Sequence, residues 1–209
     1  MYISFPDANK ALAEYYDPLW DIVSEAWADY SREVSPAARA VFSPRSRASN
    51  VHDFMIARCR RFSETVDGVE TRVKKAMCVM VVEKSPGAPV FGIRFKKLDE
   101  DGISRNQPTE QVRKFRSQDE LPGLAPAHHL EVGYVLSRDQ TQIIAVEMVH
   151  PSGDKSNFWR SEIIPFIGRE GASIITIARP PNDGGPRNVR VTRKDSIGDI
   201  DGGESTGTN

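Results

Sequence analysis

The hydrophobic period of this chain changes once, near residue 66, and that change limits the folds open to it. From Leu12 to Tyr30 apolar residues recur at 12, 16, 19, 23, 26 and 30, the four-three rhythm of one helix face. Asp21, Glu25 and Asp29 sit four apart on the side opposite, where solvent is expected. From Ala76 to Val82 the chain reads AMCVMVV, a continuous apolar run of strand length, as a strand covered on both faces requires. Val90 to Lys97 then alternates, with Phe91, Ile93 and Phe95 on one side and Gly92, Arg94 and Lys96 on the other. Helices followed by closely spaced strands predict an α+β fold. The helices cover one face of a five- to six-stranded, mostly antiparallel sheet, in the order β-β-α-β-β-β.

Punctuation residues set the expected boundaries. A short helix near 8–16 should break at Pro18, with Asp17 capping a longer helix that runs to Val34. Ser35-Pro36 repeats the cap-plus-proline signal and predicts a short helix through Phe42. Ser43 to Asn50 (SPRSRASN) reads as a polar linker, and Asn50 as the cap of a helix over 51–64 with Val51, Phe54, Met55, Cys59 and Phe62 inward. After the hairpin of 76–82 with 90–97, Thr109 opens a short basic helix. In it Val112 and Phe115 point inward, and Arg113, Lys114 and Arg116 outward. Strands follow over 129–136, 142–149 and 157–164, joined by short polar links, with a further strand at 172–178. The domain expectation is therefore a helical region over 1–66, a sheet region over 67–178 forming one domain with it, and a flexible tail over 179–209, basic and then acidic. That tail is rich in Pro, Gly, Asp, Ser and Thr.

The formal net charge of −1 hides strong segregation. Residues 1–42 carry three basic and seven acidic side chains, residues 43–116 sixteen and nine, and residues 117–178 four and eight. A basic middle between acidic flanks favours steered association with an anionic partner. No stretch approaches the roughly 18 apolar residues needed to cross a bilayer. The N-terminus lacks a basic region followed by an apolar one, so no secretory signal is expected. The expected setting is cytoplasmic, with no membrane contact.

Chemistry-bearing motifs are sparse. Cys59 and Cys78 cannot make a disulfide framework or a four-cysteine zinc site, and both read as small apolar residues. No phosphate-binding glycine loop, HExxH pair or nucleophile elbow is present. Of the four histidines, His129 and His150 are expected near the same end of the sheet, with Glu131 two residues along. They form the one conceivable metal set, that of a metal-dependent hydrolase, although adjacent strand positions point to opposite faces. Asp99-Glu100-Asp101 reads as a solvated loop ending in a turn at Gly102. No cofactor is expected and no catalytic residue can be assigned.

The basic residues Arg58, Arg61, Arg94, Lys96, Arg113 and Arg116 are the candidate binding set. They come from three elements and could hold phosphates or an acidic protein surface if they converge. Phe91 and Phe95 alternate with Arg94 and Lys96, so they turn away from the charges and offer no base-stacking platform beside them.

The stretch from Gly92 to Gly102, Arg105 to Thr109, Leu121-Pro-Gly-Leu124 and the strand Leu130 to Leu136 together resemble a group of uncharacterised bacterial and prophage proteins. The resemblance covers about residues 70–165. It implies a bacterial cytoplasmic setting within a mobile-element or defence locus, and no site residue. The functional expectation is a non-enzymatic interaction or regulatory protein, of toxin–antitoxin, prophage or defence type. It would act through a basic central surface and acidic N-terminal helices on a protein partner or a second copy of itself. Nucleic-acid binding through the same basic set, and metal-dependent hydrolysis, are the alternatives. A tail of this composition buries no apolar core. Deleting residues 180–209 is therefore expected to leave the melting temperature within about a degree by calorimetry.

Overall fold

Serine and proline start three of the N-terminal helices. The computed structural model describes residues 2–165 apart from 75–76, 106–108 and 122–126. In it Ser4 caps α1 (Phe5–Leu12), Ser35 caps α3 (Pro36–Val41) and Ser43 caps α4 (Pro44–Ser63). Each serine hydroxyl accepts a backbone N–H three residues on, and each helix has proline in its first two positions, where the missing donor costs nothing. The expected linker at 43–50 is therefore the first two turns of α4. Ser43-Pro44 carries the same signal as Ser35-Pro36, and Asn50 donates to the Ser46 carbonyl instead of capping. The expected break at Pro18 is also absent. A 3-10 turn, Ala13–Tyr15, joins α1 directly to α2 (Tyr16–Glu33). Pro18 falls in the first turn of α2, where backbone donors have no helical partner to lose.

Six strands form one sheet in sequence order: β1 (Val69–Lys74), β2 (Met77–Val82), β3 (Phe91–Leu98), β4 (His128–Leu136), β5 (Ile143–Gly153) and β6 (Ser156–Glu162). All neighbours are antiparallel except β3 and β4, which run parallel from Phe91↔His128 to Leu98↔Val135. The fold is thus α+β with a mostly antiparallel sheet. The parallel pair follows from the long connection 99–127, which carries α5 (Glu110–Arg116) across the sheet, since a crossover needs a dozen residues or more. The strand expected at 172–178 and the tail at 179–209 lie outside the described residues. β1 is the strand the sequence reading omitted.

Strand alternation divides the sheet between two layers. On one face Met80, Val82, Phe91, Ile93, Phe95, Leu130, Val132, Tyr134 and Met148 share a core with Leu12, Leu19, Val23, Tyr30, Val51 and Met55 of the helices. Asp29 of α2 is buried beside it. Burial works against the Asp29 carboxylate, but hydrogen bonds from Arg58 of α4 and from Arg32 outweigh that and hold its pKa low. On the other face Met77, Val79 and Val81 pack on Phe115 and Leu121, and Leu98 packs on Val135 and Val149. Apolar packing on both sides explains the unbroken run at 77–82.

The parallel pair leaves no room at one position. A Cβ on Gly133 would stand 1.9 Å from the Lys96 carbonyl oxygen, a backbone atom that cannot turn aside. Gly133→Ala is expected to destabilise the protein by about 2 kcal/mol or more, as overpacking does. Urea denaturation checks this, with a surface alanine variant on an exposed helix position as reference.

Candidate functional site

The layer under α5 is built around one carboxylate. Glu131 on β4 is fully buried in a strand that is otherwise apolar or aromatic. Alternation puts it on the α5 face, directly across from Arg94. Arg94 Nη1 lies 3.4 Å from Glu131 and its guanidinium sits 5.0 Å over the Phe115 ring. Arg116 of α5 donates to Glu131, to Ser104 Oγ at 3.2 Å, to the Gly153 carbonyl at 2.9 Å and to Asn157 Oδ1 at 3.4 Å. Ser104 completes the set by donating to both Glu131 oxygens, at 3.1 and 2.9 Å. Two guanidiniums thus share one carboxylate. Burial works against the Arg94 charge, Glu131 supports it and Arg116 opposes it, with a net downward shift. Gln118 closes the layer, bonding the His129 carbonyl and N–H and the Pro151 carbonyl.

The six basic residues singled out in the sequence do not form one surface. Arg58 lies on the helical side, bonded to Asp29 at 2.6 Å with Glu25 at 3.7 Å. Arg61 is exposed near the end of α4. Arg94 and Arg116 are 3% and 2% exposed and serve the interior. The expected outward direction of Arg116 is therefore corrected: it follows Phe115 on the buried side of a seven-residue helix, because Glu131 offers it a partner there. Arg113 is exposed, with Asp154 3.9 Å away. Lys96 alone of the six reaches the rim of a cleft.

That cleft has a volume of about 1010 Å³ and lies where β3 and β4 end together. Its cations come from four places: Arg45 in the first turn of α4, Lys96 and Lys97 at the end of β3, Arg105 in the loop after it, and Arg138 in the β4–β5 turn. The acids are Asp99, Glu100 and Asp101. Asp99 is committed to the loop, accepting the N–H groups of Asp101 and Ile103 and pairing with Arg105 at 3.1 Å. This agrees with the solvated-loop reading. Burial and then repulsion from Arg94 pull Lys96 down to about 8, with Glu131 opposing. Burial, then Arg47 and Arg105, push Lys97 down as well. Five cations against three acids in the lining leave the cleft with an excess of positive charge. The N-terminal end of the 20-residue α4 adds a partial positive charge on the same side. Sequence reading missed Arg45, Lys97, Arg105 and Arg138 because they are distant in the chain. The usable signal was the pairing of strand ends across the long 99–127 connection, which places such residues together.

The histidine set is divided by the sheet. Register places Glu131 opposite Val149, so His150 shares the face of Leu130 while His129 and Glu131 occupy the other. His129 stacks on Phe115 at 4.5 Å, and its Nδ1 donates to the Phe115 carbonyl at 3.0 Å. Burial holds it at about 4, against the effect of that bond. His150 packs instead among Tyr2, Phe158 and Trp159. Among the described residues no group of three or more His, Cys, Asp or Glu is placed to hold a metal ion. Burial also raises both thiols, Cys59 to about 11, away from reactivity. Among the described residues no helix is long and apolar enough to cross a membrane.

Comparison with protein-family models, with curated proteins and with solved structures gives no match. Function is therefore argued from the site.

Breaking a buried ion group leaves a charge uncompensated. Glu131→Gln is expected to cost about 3 kcal/mol, because two buried guanidiniums lose their counter-charge. Arg94→Met should cost less than half as much, since Arg116 and Ser104 still hold Glu131. Chemical denaturation of both variants reads the difference, and an equal loss would show that the cluster is not centred on Glu131.

Proposed function

We propose that this chain is a non-enzymatic docking protein whose electropositive cleft holds an acidic segment of a protein partner. The observation that carries this reading is the convergence of Arg45, Lys96, Lys97, Arg105 and Arg138 on one cleft, with the charged forms of Lys96 and Lys97 both disfavoured by burial and then by neighbouring cations. An incoming carboxylate relieves that repulsion, so the site gains more from an anion than isolated surface lysines would. Carboxylates also match the planar guanidinium fork of arginine.

Two further features support a protein partner over a nucleic acid. No Phe, Tyr, Trp or His lines the cleft among the described residues, so unpaired bases find no stacking platform there. The outer face of α2 carries Asp21 and Glu25, and Asp21 is shifted up by burial and then by Glu25 and Asp17. That acidic face would repel a polyphosphate, yet it suits a partner with patches of both signs. A regulatory role in a bacterial complex, of prophage, toxin–antitoxin or defence type, belongs to the same proposal. It rests on the sequence resemblance and on this charge arrangement.

Fluorescence anisotropy tests it, with a labelled Asp/Glu-rich peptide beside single- and double-stranded oligonucleotides of matched charge. The peptide is expected to bind at low salt, to weaken steeply as salt rises, and to lose about tenfold or more in affinity on Arg45→Glu with Arg138→Glu. Binding should also weaken between pH 7 and 9. A bound anion favours charged Lys96, and that charge is lost as pH passes about 8. Failure of the peptide to bind, or indifference to the double reversal, overturns the proposal. Tight binding of oligonucleotides alone transfers the cleft to the nucleic-acid reading.

A further inference from the structure

β1 is an edge strand, with β2 on its inner side and no strand on its outer side among the described residues. Its hydrogen-bonding direction follows from one contact. Glu83 N–H donates to the Gly68 carbonyl at 2.8 Å, and the register Val69↔Val82 extends to Gly68 opposite Glu83. Antiparallel ladders alternate. Gly68, Glu70 and Arg72 therefore turn their backbone groups toward β2, while Val69, Thr71 and Val73 turn theirs to the open edge.

The side chains along this edge are complementary to themselves. Glu70 and Arg72 are separated by one residue, share a face and bond to each other at 2.7 and 2.9 Å. Val69 belongs to the main core, so alternation puts Thr71 and Val73 on the helical side. Val73 is 56% exposed, one of four large apolar residues left outside among the described residues.

We propose that two copies of the chain pair antiparallel along β1 about a two-fold axis through Thr71, so that Glu70 of each copy lies opposite Arg72 of the other. This register is the one that both parities select. Thr71 presents its N–H and carbonyl outward, so it can exchange two hydrogen bonds with Thr71 of the second copy. Val73 N–H then reaches the Val69 carbonyl across the axis, once in each direction. The exposed Val73 comes to lie opposite Val69 on the same face. Glu70 and Arg72 fall in the non-hydrogen-bonded positions, where side chains approach most closely. The neighbouring two-fold registers are repelled: an axis at Glu70 sets Glu70 against Glu70, and an axis at Arg72 sets Arg72 against Arg72. Edge charges that merely discourage pairing have no reason to match about one residue. A single strand edge is a small interface, so the dimer is reversible and depends on concentration. None of Glu70, Thr71 and Arg72 lines the cleft, so this inference is independent of the docking proposal.

Sedimentation velocity on the full chain, over a concentration series into the sub-millimolar range, is the test. The wild type is expected to shift from monomer to dimer. Glu70→Arg places Arg opposite Arg, and Arg72→Glu places Glu opposite Glu, so each variant alone should weaken dimerisation by about tenfold or more. An equimolar mixture of the two is expected to associate as a heterodimer, and the double variant carrying both changes to regain the homodimer. Circular dichroism melts should shift by only a few degrees at most, because Glu70 is exposed, Arg72 is half-buried and the pair between them lies at the surface. A wild type that stays monomeric throughout overturns the proposal. So does a dimer that ignores the single reversals, or a mixture that fails to associate.

Discussion

The second layer of this protein depends on the solvation of Glu131. A carboxylate in the middle of a sheet, with no access to water, is tolerated only if fixed donors replace its hydration. Here Ser104, Arg94 and Arg116 are those donors, and they come from a loop, a neighbouring strand and a helix. Meeting the needs of one side chain therefore fixes where Ser104 and α5 sit against the sheet. Arg116 extends the constraint to the β5–β6 turn through the Gly153 carbonyl and Asn157. The apolar patches around Phe115 and Leu98 are small beside the core on the helical face. Directional polar bonds, more than area, hold this layer in register.

Much of the architecture was legible because it follows from local periodicity. The α2 stripe, the 77–82 run and the alternation in β3 and β4 each required one kind of element on one kind of surface. What failed was any inference that needed to know which face of the sheet was wet. Arg94 and Lys96 were read as two members of a binding set, which requires both to be accessible. The sheet is covered on both sides, and Arg94 is interior. The clue was present in HHLEVGYVL: a lone acid in an otherwise uncharged strand implies a buried cation, and only the residues across from it and above it can provide one. β1 was missed for the opposite reason. VETRVK is charged because it lies at an edge, and its strand character comes from pairing with β2, not from its own apolar content. The α4 start was missed although its Ser-Pro signal was identical to one already read eight residues earlier.

The cleft illustrates how parallel pairing brings distant residues together. Two parallel neighbours end on the same side, so their following loops must both begin there. An antiparallel meander would have separated Asp99 from Ser137. Because β3 and β4 run together, the loop after one and the turn after the other enclose a common space, and the start of α4 closes it. Residues as far apart as Arg45 and Arg138 then share one electrostatic environment without any linear motif.

The buried cluster and the cleft meet at Lys96. It lies on the same strand face as Arg94, at the boundary between the dry cluster and the open cleft. The cluster holds two guanidiniums against one carboxylate, so an excess positive charge sits in a low-dielectric region next to Lys96. Interior charge is poorly screened and projects its field toward the nearest opening. Buried Arg94, opposed in part by Glu131, thus adds to the positive potential felt at Lys96. The lowered pKa of Lys96 reflects that field, after the effect of its own burial.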